Sequence, residues 1–441
     1  MLYLNSIAER PQLGAKELKD HIGETVSLHA MVYKIREMSG FAFVLLRTLH
    51  GMLQGVYAES FSDFPLSLLK ENMSILARGE VVAEERSRLG AELRLRSVTV
   101  LSAPAEEPPL VLNNKKMNCS LETLLDYRPI TVRNEKESAV FKLQAGLCRG
   151  LRAFFDENDF TEIHSPKIVY SGAEGGANIF SLDYFGKQAF LAQSPQFYKQ
   201  MMVGAFERVY EIAPVFRAEK HDTSRHLNEY TGVDFEMGFI ESFYDLCRME
   251  TGMLAYAFAF LKNHYAAELS LLGVEMPVIG EIPCIKFEEA KQLVSQTFRR
   301  PITDFEDFEP EEEKLLCQLI KRRENSDFVF VTHYRSSKRP FYAMDTPSDP
   351  TVTESFDLLF RGMEVTTGGQ RIHNYAQQVE KMKLRGMDPA RFGDFLMAHR
   401  YGLPPHGGLG LGLERLTAKL LGFQNVRNAA LFPRDIHRLT P

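Results

Sequence analysis

No two cysteines in this 441-residue chain are spaced as C-x-x-C. The five, Cys119, Cys148, Cys247, Cys284 and Cys317, are scattered. That excludes a paired-thiol metal site or a disulfide framework and suits the reduced thiols of a cytoplasmic protein. No uninterrupted apolar run reaches the roughly 18 residues of a membrane span. The first ten residues, Met1 to Arg10, lack the basic and apolar segments of a secretion signal. No Walker G-x-x-x-x-G-K-[ST] occurs, no repeat is visible, and tryptophan is absent. Nor is there an excess of either charge. The net charge is −6, and residues 1–104 carry twelve Lys/Arg against twelve Asp/Glu. Bulk charge therefore announces no nucleic-acid partner, and any RNA contact must rest on local patches.

What is present is the composition of an ordinary globular protein, 44% hydrophobic and 25% charged, with length for two or three domains. Residues 1–104 hold five short alternating runs, at 25–32, 41–46, 52–57, 74–82 and 91–101, separated by turn signals. They predict a small closed barrel of the OB type, with an SH3-like barrel as the alternative. A linker over 105–130, rich in Pro and Glu at its start, leads to a domain at 131–441. Asn134 with Glu137 suggests a capping box. After it Val140, Leu143, Leu147, Leu151 and Phe154 form the stripe of a long amphipathic helix. Beyond that, strands and helices mix without a regular βαβ rhythm, which predicts an α+β domain with an antiparallel sheet flanked by helices. Pro310, Glu311–Glu313 and Lys321–Arg323 predict a solvated helix whose charges complement its dipole.

Residues 214–239 carry the strongest pattern. Arg217 ends one extended run, a polar loop follows, and a second run returns with strict alternation. Val233, Phe235, Met237 and Phe239 are expected on one face, and Asp234, Glu236 and Gly238 on the other. The second face would set carboxylates beside Arg217 and Arg225, a wall suited to a ligand both phosphorylated and zwitterionic. Far downstream, residues 407–416 read as a glycine-rich loop running into a helix, where Gly408, Gly410 and Gly412 let backbone approach a ligand closely. Their spacing is G-x-G-x-G, which does not fit a dinucleotide fold.

Together these segments resemble motifs 2 and 3 of class II aminoacyl-tRNA synthetases. The stretch from Phe154 through the break at Asn158 to Pro166 resembles motif 1. Over nearly its whole length the chain resembles aspartyl-tRNA synthetases of the archaeal/eukaryotic type, with no room for the large extra domain of bacterial-type relatives. His21-Ile22-Gly23-Glu24 superficially matches a signature of the other synthetase class, but it lacks the second histidine and any downstream partner motif.

The resemblance implies ATP, L-aspartate and tRNA-Asp as substrates, Mg²⁺ as cofactor and a homodimer built on motif 1. Arg217 is implied at the α-phosphate and Arg415 at the γ-phosphate, as the catalytic pair. Glu219, Arg225, His226, Tyr230, Glu364 and Gly412 complete the ATP site, and Glu364 and Thr367 are implied as Mg²⁺ ligands. Lys199 and Arg371 would meet the aspartate side-chain carboxylate, and Asp234, Gln196 and Glu174 its ammonium group. Glu174 stands in a glycine-rich loop, 171–177, that looks like the mobile lid of the family. In the barrel, Phe43 and Gln54 match residues that stack on and read anticodon bases. Either could instead be barrel core or polar edge. Met31 stands where relatives that charge only tRNA-Asp often have Trp, and Arg88 where those relatives have a basic residue. The first points to charging of tRNA-Asn as well, and the second to tRNA-Asp alone. An amide-forming ligase would not need the barrel. An RNA-binding scaffold with a dead catalytic domain would have lost one of Arg217, Glu364, Lys199, Asp234 or Arg415, and all are present.

Overall fold

The structure, a computed structural model, describes Leu13 and residues 15–49, 51–87, 89–170 and 178–441. Arg88, Glu174 and the rest of the 171–177 loop lie outside the described residues. Two compact units divide between Met117 and Asn118. That division falls inside the 105–130 stretch. The C-terminal part of this stretch forms the short helices Leu121–Asp126 and Arg128–Thr131 and belongs to the second unit.

The first unit is a closed barrel of β1 (Thr25–Glu37), β2 (Ala42–Thr48), β3 (Gly51–Tyr57), β4 (Ser74–Ala83) and β5 (Ala91–Ser102), in the order β1-β2-β3-β5-β4. The long β1 pairs with both β2 and β4, and β3 meets β5 in parallel, so the sheet closes as an OB-fold. Alternate residues such as Val44, Leu46, Leu53, Ile75, Ala77, Leu93 and Leu95 fill the interior. The residues between them face outward.

The second unit is built on an eight-stranded sheet. Its strands are β6 (Thr161–Glu162), β10 (Arg208–Phe216), β11 (Glu229–Gly238), β12 (Cys284–Lys286), β13 (Phe328–Thr332), β16 (Ser355–Phe360), β17 (Met363–Gln370) and β18 (His406–Gly412). Two small ribbons pair β7 (Ile168–Val169) and β8 (Ser181–Tyr184) with β9 (Lys187–Leu191), and β14 (Asp345–Thr346) with β15 (Asp349–Thr353). The order in the large sheet is β12-β13-β16-β17-β18-β11-β10-β6, antiparallel except at its two edges. The Glu135–Glu157 and Phe243–His264 helices bury one face of the sheet. Leu143, Leu147, Leu151, Leu254 and Leu261 pack there with Phe235, Leu409 and Leu411.

Asn134 caps the first long helix, accepting from the Lys136 and Glu137 amides, but the reciprocal half of the box does not form. Glu137 turns instead to the buried Arg128 at 3.4 Å. Phe239 leaves the face it was assigned. β11 ends at Gly238, and Phe239 adopts a positive φ of 56° and is exposed. The Pro310–Glu324 helix has its charges at the expected ends, yet it is not solvated throughout, because Glu312 and Glu313 are buried. The 407–412 segment is not a loop but strand β18, sandwiched between β17 and β11. Glycine in a central strand marks a close approach. Here the approaching groups are neighbouring-strand carbonyls at Gly407 and Gly408 and protein carboxylates at Gly408 and Gly410.

Candidate active site

Opposite the helices, the sheet floors a cavity of about 330 Å³ lined from β10, β11, β17, β18 and the Gln196–Phe206 helix. Its floor is explained by register. Asp234 pairs with Gly410 and Glu236 with Gly408 across β11 and β18. A methyl group at Gly408 would lie 2.3 Å from Glu236 Oε2, and one at Gly410 would lie 3.0 Å from Asp234 Oδ1. The alternating glycines thus vacate the positions over which two buried carboxylates lean.

Two cations meet those carboxylates. On the Gln196–Phe206 helix, Gln196, Lys199, Gln200 and Val203 share the buried face, at helical spacing. Lys199 is only 1% exposed. Its Nζ donates to Asp234 Oδ1 at 2.9 Å and to the Leu409 carbonyl at 2.7 Å, and stands 3.6 Å from Glu236 Oε2. Arg371 donates through Nε to Glu236 Oε1 at 2.8 Å and through Nη2 to the Gly408 carbonyl at 2.9 Å. Burial raises the Asp234 carboxyl despite Lys199. It also opposes ionisation of Glu236, but Arg371 and Lys199 outweigh it and hold that carboxyl below its ordinary value. Gln196 lines the same end, and its Nε2 is buried with no hydrogen-bond partner among the described residues. A buried unpaired donor beside a cavity fits a polar ligand.

The other end is built on the 217–228 loop and the start of β17. The Arg217 amide donates to the Asn228 carbonyl at 2.8 Å, and Asn228 Nδ2 returns to the Arg217 carbonyl at 2.7 Å, closing the base of the loop. The Arg217 guanidinium lies 5.6 Å from the Tyr230 ring and 3.9 Å from Glu219. His226 stands 3.6 Å from Glu219, and burial lowers its pKa. Arg415, in the first turn of the Leu413–Leu420 helix, reaches Glu364 Oε1 at 3.3 Å. Arg217, Glu219, Arg225, His226, Tyr230, Glu364, Thr367, Gly412 and Arg415 all line the cavity.

Glu364 and Thr367 are three residues apart, so a regular strand would send them to opposite faces. A β-bulge intervenes. Leu358 pairs with Thr366 but Leu359 pairs with Glu364, leaving Val365 unpaired. The extra residue returns both side chains to one face, and the Thr367 hydroxyl donates to Glu364 Oε1 at 3.3 Å. Burial disfavours the Glu364 anion, yet Arg415, Arg339, Arg225 and Arg217 outweigh it and lower its pKa.

The structure corrects one expectation about this wall. Asp234 and Glu236 do not sit beside Arg217 and Arg225; their cations are Lys199 and Arg371. The Arg225 carboxylate partner is Glu313, from the Pro310–Glu324 helix. Sequence reasoning also missed four acidic roles. Glu236 is the shared counterion of Lys199 and Arg371, although alternation had placed it on the Asp234 face. Asp357, opposite Thr367 on β16, pairs with Arg339 at 2.8 Å, and burial pushes its carboxyl up to about 6. Glu414 accepts from the Thr231 amide at 3.0 Å, pushed up to about 7 by burial. Glu313 is the fourth. Of the four, Glu236 had a local signal in the alternation of β11 and Glu414 in the motif 3 segment.

In the barrel, Met31, Phe43 and Gln54 are half-buried outer-face residues of β1, β2 and β3, not interior ones. Phe43 packs edge-on against the exposed Phe41 with centroids 5.2 Å apart. Gln54 donates to Glu92 at 3.0 Å. Among the described residues no helix is long and apolar enough to cross a membrane. Nor, among them, does a group of three or more His, Cys, Asp or Glu side chains gather as a metal site. The five cysteines are all free.

The sheet and the barrel have counterparts among known proteins. The family of class II tRNA synthetases (D, K and N) matches residues 120–436. The chain is 46% identical over 427 residues to a Thermus thermophilus protein named Aspartate--tRNA(Asp/Asn) ligase, covering 97% of this chain and 99% of that one. It is 38% identical to an Aspartate--tRNA(Asp) ligase of Thermococcus kodakarensis, covering 95% and 97%. Among solved structures it resembles Pyrococcus horikoshii asparaginyl-tRNA synthetase complexed with asparaginyl-adenylate. The TM-score is 0.89 at 30% identity, over 98% of this chain and 100% of that one. A putative aspartyl-tRNA synthetase from Leishmania major gives 0.86 at 30%, over 100% and 97%. The chain belongs to the class II tRNA synthetase family.

Proposed function

We propose that the protein is a cytoplasmic aspartate–tRNA ligase. An α-carboxylate oxygen of L-aspartate attacks the α-phosphorus of ATP, and pyrophosphate leaves. The terminal adenosine hydroxyl of tRNA-Asp then attacks the acyl carbon, and AMP leaves. The carrying observation is the buried pair Lys199 and Arg371 at one end of the cavity. Their cations suit a side-chain carboxylate, where asparagine needs none, and Asp234 with the Gln196 carbonyl suits the ammonium group. Arg217 and Arg415 would grip the triphosphate at the other end, where guanidinium forks match phosphate oxygens. Tyr230 offers a face for the adenine. Among the described residues no side chain is placed as a general base. Positioning and charge neutralisation carry the first step.

Glu364 and Thr367 fit a hard cation, one carboxylate and one hydroxyl oxygen on one face. That is the donor set Mg²⁺ takes when phosphate and water supply the rest. Mg²⁺ bound there would neutralise phosphate charge.

The test is ATP–pyrophosphate exchange without tRNA. It should require Mg²⁺ and aspartate, and exchange driven by asparagine or lysine but not aspartate would refute the assignment. We infer further that the active form is a homodimer, because the Glu135–Glu157 helix and the segment through Pro166 resemble the motif that builds a twofold interface, and closed C2 pairing is the commonest assembly. Full activity from a species sedimenting as a monomer would overturn this. Relaxed charging of both tRNA-Asp and tRNA-Asn is favoured by Met31.

A further inference from the structure

Arg225 lines the cavity, but its carboxylate partner sits behind the wall. Glu313 lies one turn into the Pro310–Glu324 helix, is 6% exposed, and receives an Arg225 Nη2 hydrogen bond on Oε2. The same oxygen accepts the Glu364 backbone amide at 3.1 Å. One carboxylate oxygen therefore joins three parts of the chain: the 217–228 loop, the bulged start of β17, and a helix that contributes no strand to the floor. The helix itself is braced. Gly362 takes a φ of +82°, and a Cβ there would lie 3.2 Å from the Lys314 backbone. The turn into β17 and the helix are thus in close backbone contact beside Glu313.

A loop arginine is a long, rotamer-rich side chain, and fixing it before a ligand arrives removes an ordering cost from binding. A planar guanidinium held at one edge still offers its other N–H groups to a phosphate. We propose that Glu313 is a positioning residue for the nucleotide: it orients Arg225 in the cavity wall and ties that orientation to the backbone of Glu364. The proposal rests on the reading of the cavity as an ATP site.

The Glu313→Gln variant tests it. The amide carbonyl can keep the Glu364 contact, while the charge that fixes Arg225 is lost. ATP affinity measured by titration calorimetry in the presence of Mg²⁺ should fall by about tenfold, the usual scale for a charged hydrogen bond. The aspartate KM in exchange should stay within about twofold, since Lys199 and Arg371 are untouched. The double variant Glu313→Gln, Arg225→Gln should bind ATP no worse than Arg225→Gln alone, because Glu313 acts through the arginine. Unchanged ATP affinity in Glu313→Gln, or a double variant whose losses multiply, would overturn the proposal. A native protein that binds ATP but shows no aspartate-dependent exchange would count against the reaction assigned above, while the calorimetry would still decide the role of Glu313.

Discussion

Lys199 and Asp234 form a buried ion pair, Nζ to Oδ1 2.9 Å, on the floor of the cavity. Two charges withdrawn from water gain from each other only when geometry and further hydrogen bonds are good. Here the ammonium also reaches the Leu409 carbonyl and approaches Glu236, whose remaining charge is met by Arg371. The four groups balance, two cations against two anions. On the proposed reading, an arriving zwitterion with an extra carboxylate would find cations already oriented by protein carboxylates, with little reorganisation needed on binding.

Replacing Lys199 with leucine should therefore have two effects. It leaves Asp234 and Glu236 short of a cation in a buried place, which typically costs about 3–5 kcal/mol. The melting temperature should fall. The aspartate KM in pyrophosphate exchange should rise far more than the ATP KM, because Arg217 and Arg415 lie at the opposite end. An aspartate KM altered less than about threefold would place Lys199 outside the aspartate pocket.

Arg217→Ala should leave the fold intact and lower the exchange rate by about 10²-fold or more, the scale of losing a donor aimed at developing charge. The loop base is held by backbone and Asn228 contacts that alanine retains. A near-normal rate with normal melting would show that Arg217 does not contact the reacting phosphate.

Much of this site was legible because period and motif are local. The alternation from Val233 to Met237 sorted core from site, and the five barrel runs matched the five strands to within two residues except at β1, which runs five residues beyond Val32 to Glu37. What was not legible depends on pairing across distance. Only the β11–β18 register shows that Gly408 and Gly410 make room for Glu236 and Asp234. Only the bulge at Val365 shows how Glu364 and Thr367 come to face one way. Glu313 looked like first-turn dipole decoration, since nothing in its own helix reveals that Arg225 approaches from about ninety residues away.

Behind the sheet, Glu250 of the Phe243–His264 helix is fully buried, and among the described residues neither carboxyl oxygen has a hydrogen-bond partner. Thr366 of β17 faces it, outside hydrogen-bond geometry. Burial pushes the Glu250 carboxyl up to about 8. In the folded state the group stays neutral to that pH, whereas in the unfolded chain it ionises near the ordinary glutamate value of 4.5. Folding thus takes up a proton between these values. Stability is unaffected by this group below the lower pH and declines as pH rises towards 8, by up to about 1.4 kcal/mol per unit. Glu250→Gln removes that slope. Its melting temperature should gain on the native protein more at pH 8 than at pH 5.5, and parallel curves would sink the idea.

The last prediction concerns the barrel. Met31 of β1 lies opposite Arg47 of β2, with Arg47 Nη2 2.6 Å from the Met31 sulfur. Both are half-buried on the outer face that carries Phe43 and Gln54. Asp and Asn anticodons differ only at the third base, C against U. Rejecting U calls for a rigid wall or a donor fixed against the edge of C. Met31 is an adaptable side chain and forms no rigid wall. A tryptophan at this position would present a rigid surface with little entropy to lose. The native protein should therefore aspartylate tRNA-Asp and tRNA-Asn transcripts with comparable kcat/KM, and Met31→Trp should widen the ratio while leaving pyrophosphate exchange unchanged. If the native enzyme already favours tRNA-Asp by more than about 100-fold, equivalent to about 2.7 kcal/mol, discrimination does not depend on a wall at position 31. Arg47→Ala would then show whether the neighbouring guanidinium supplies it.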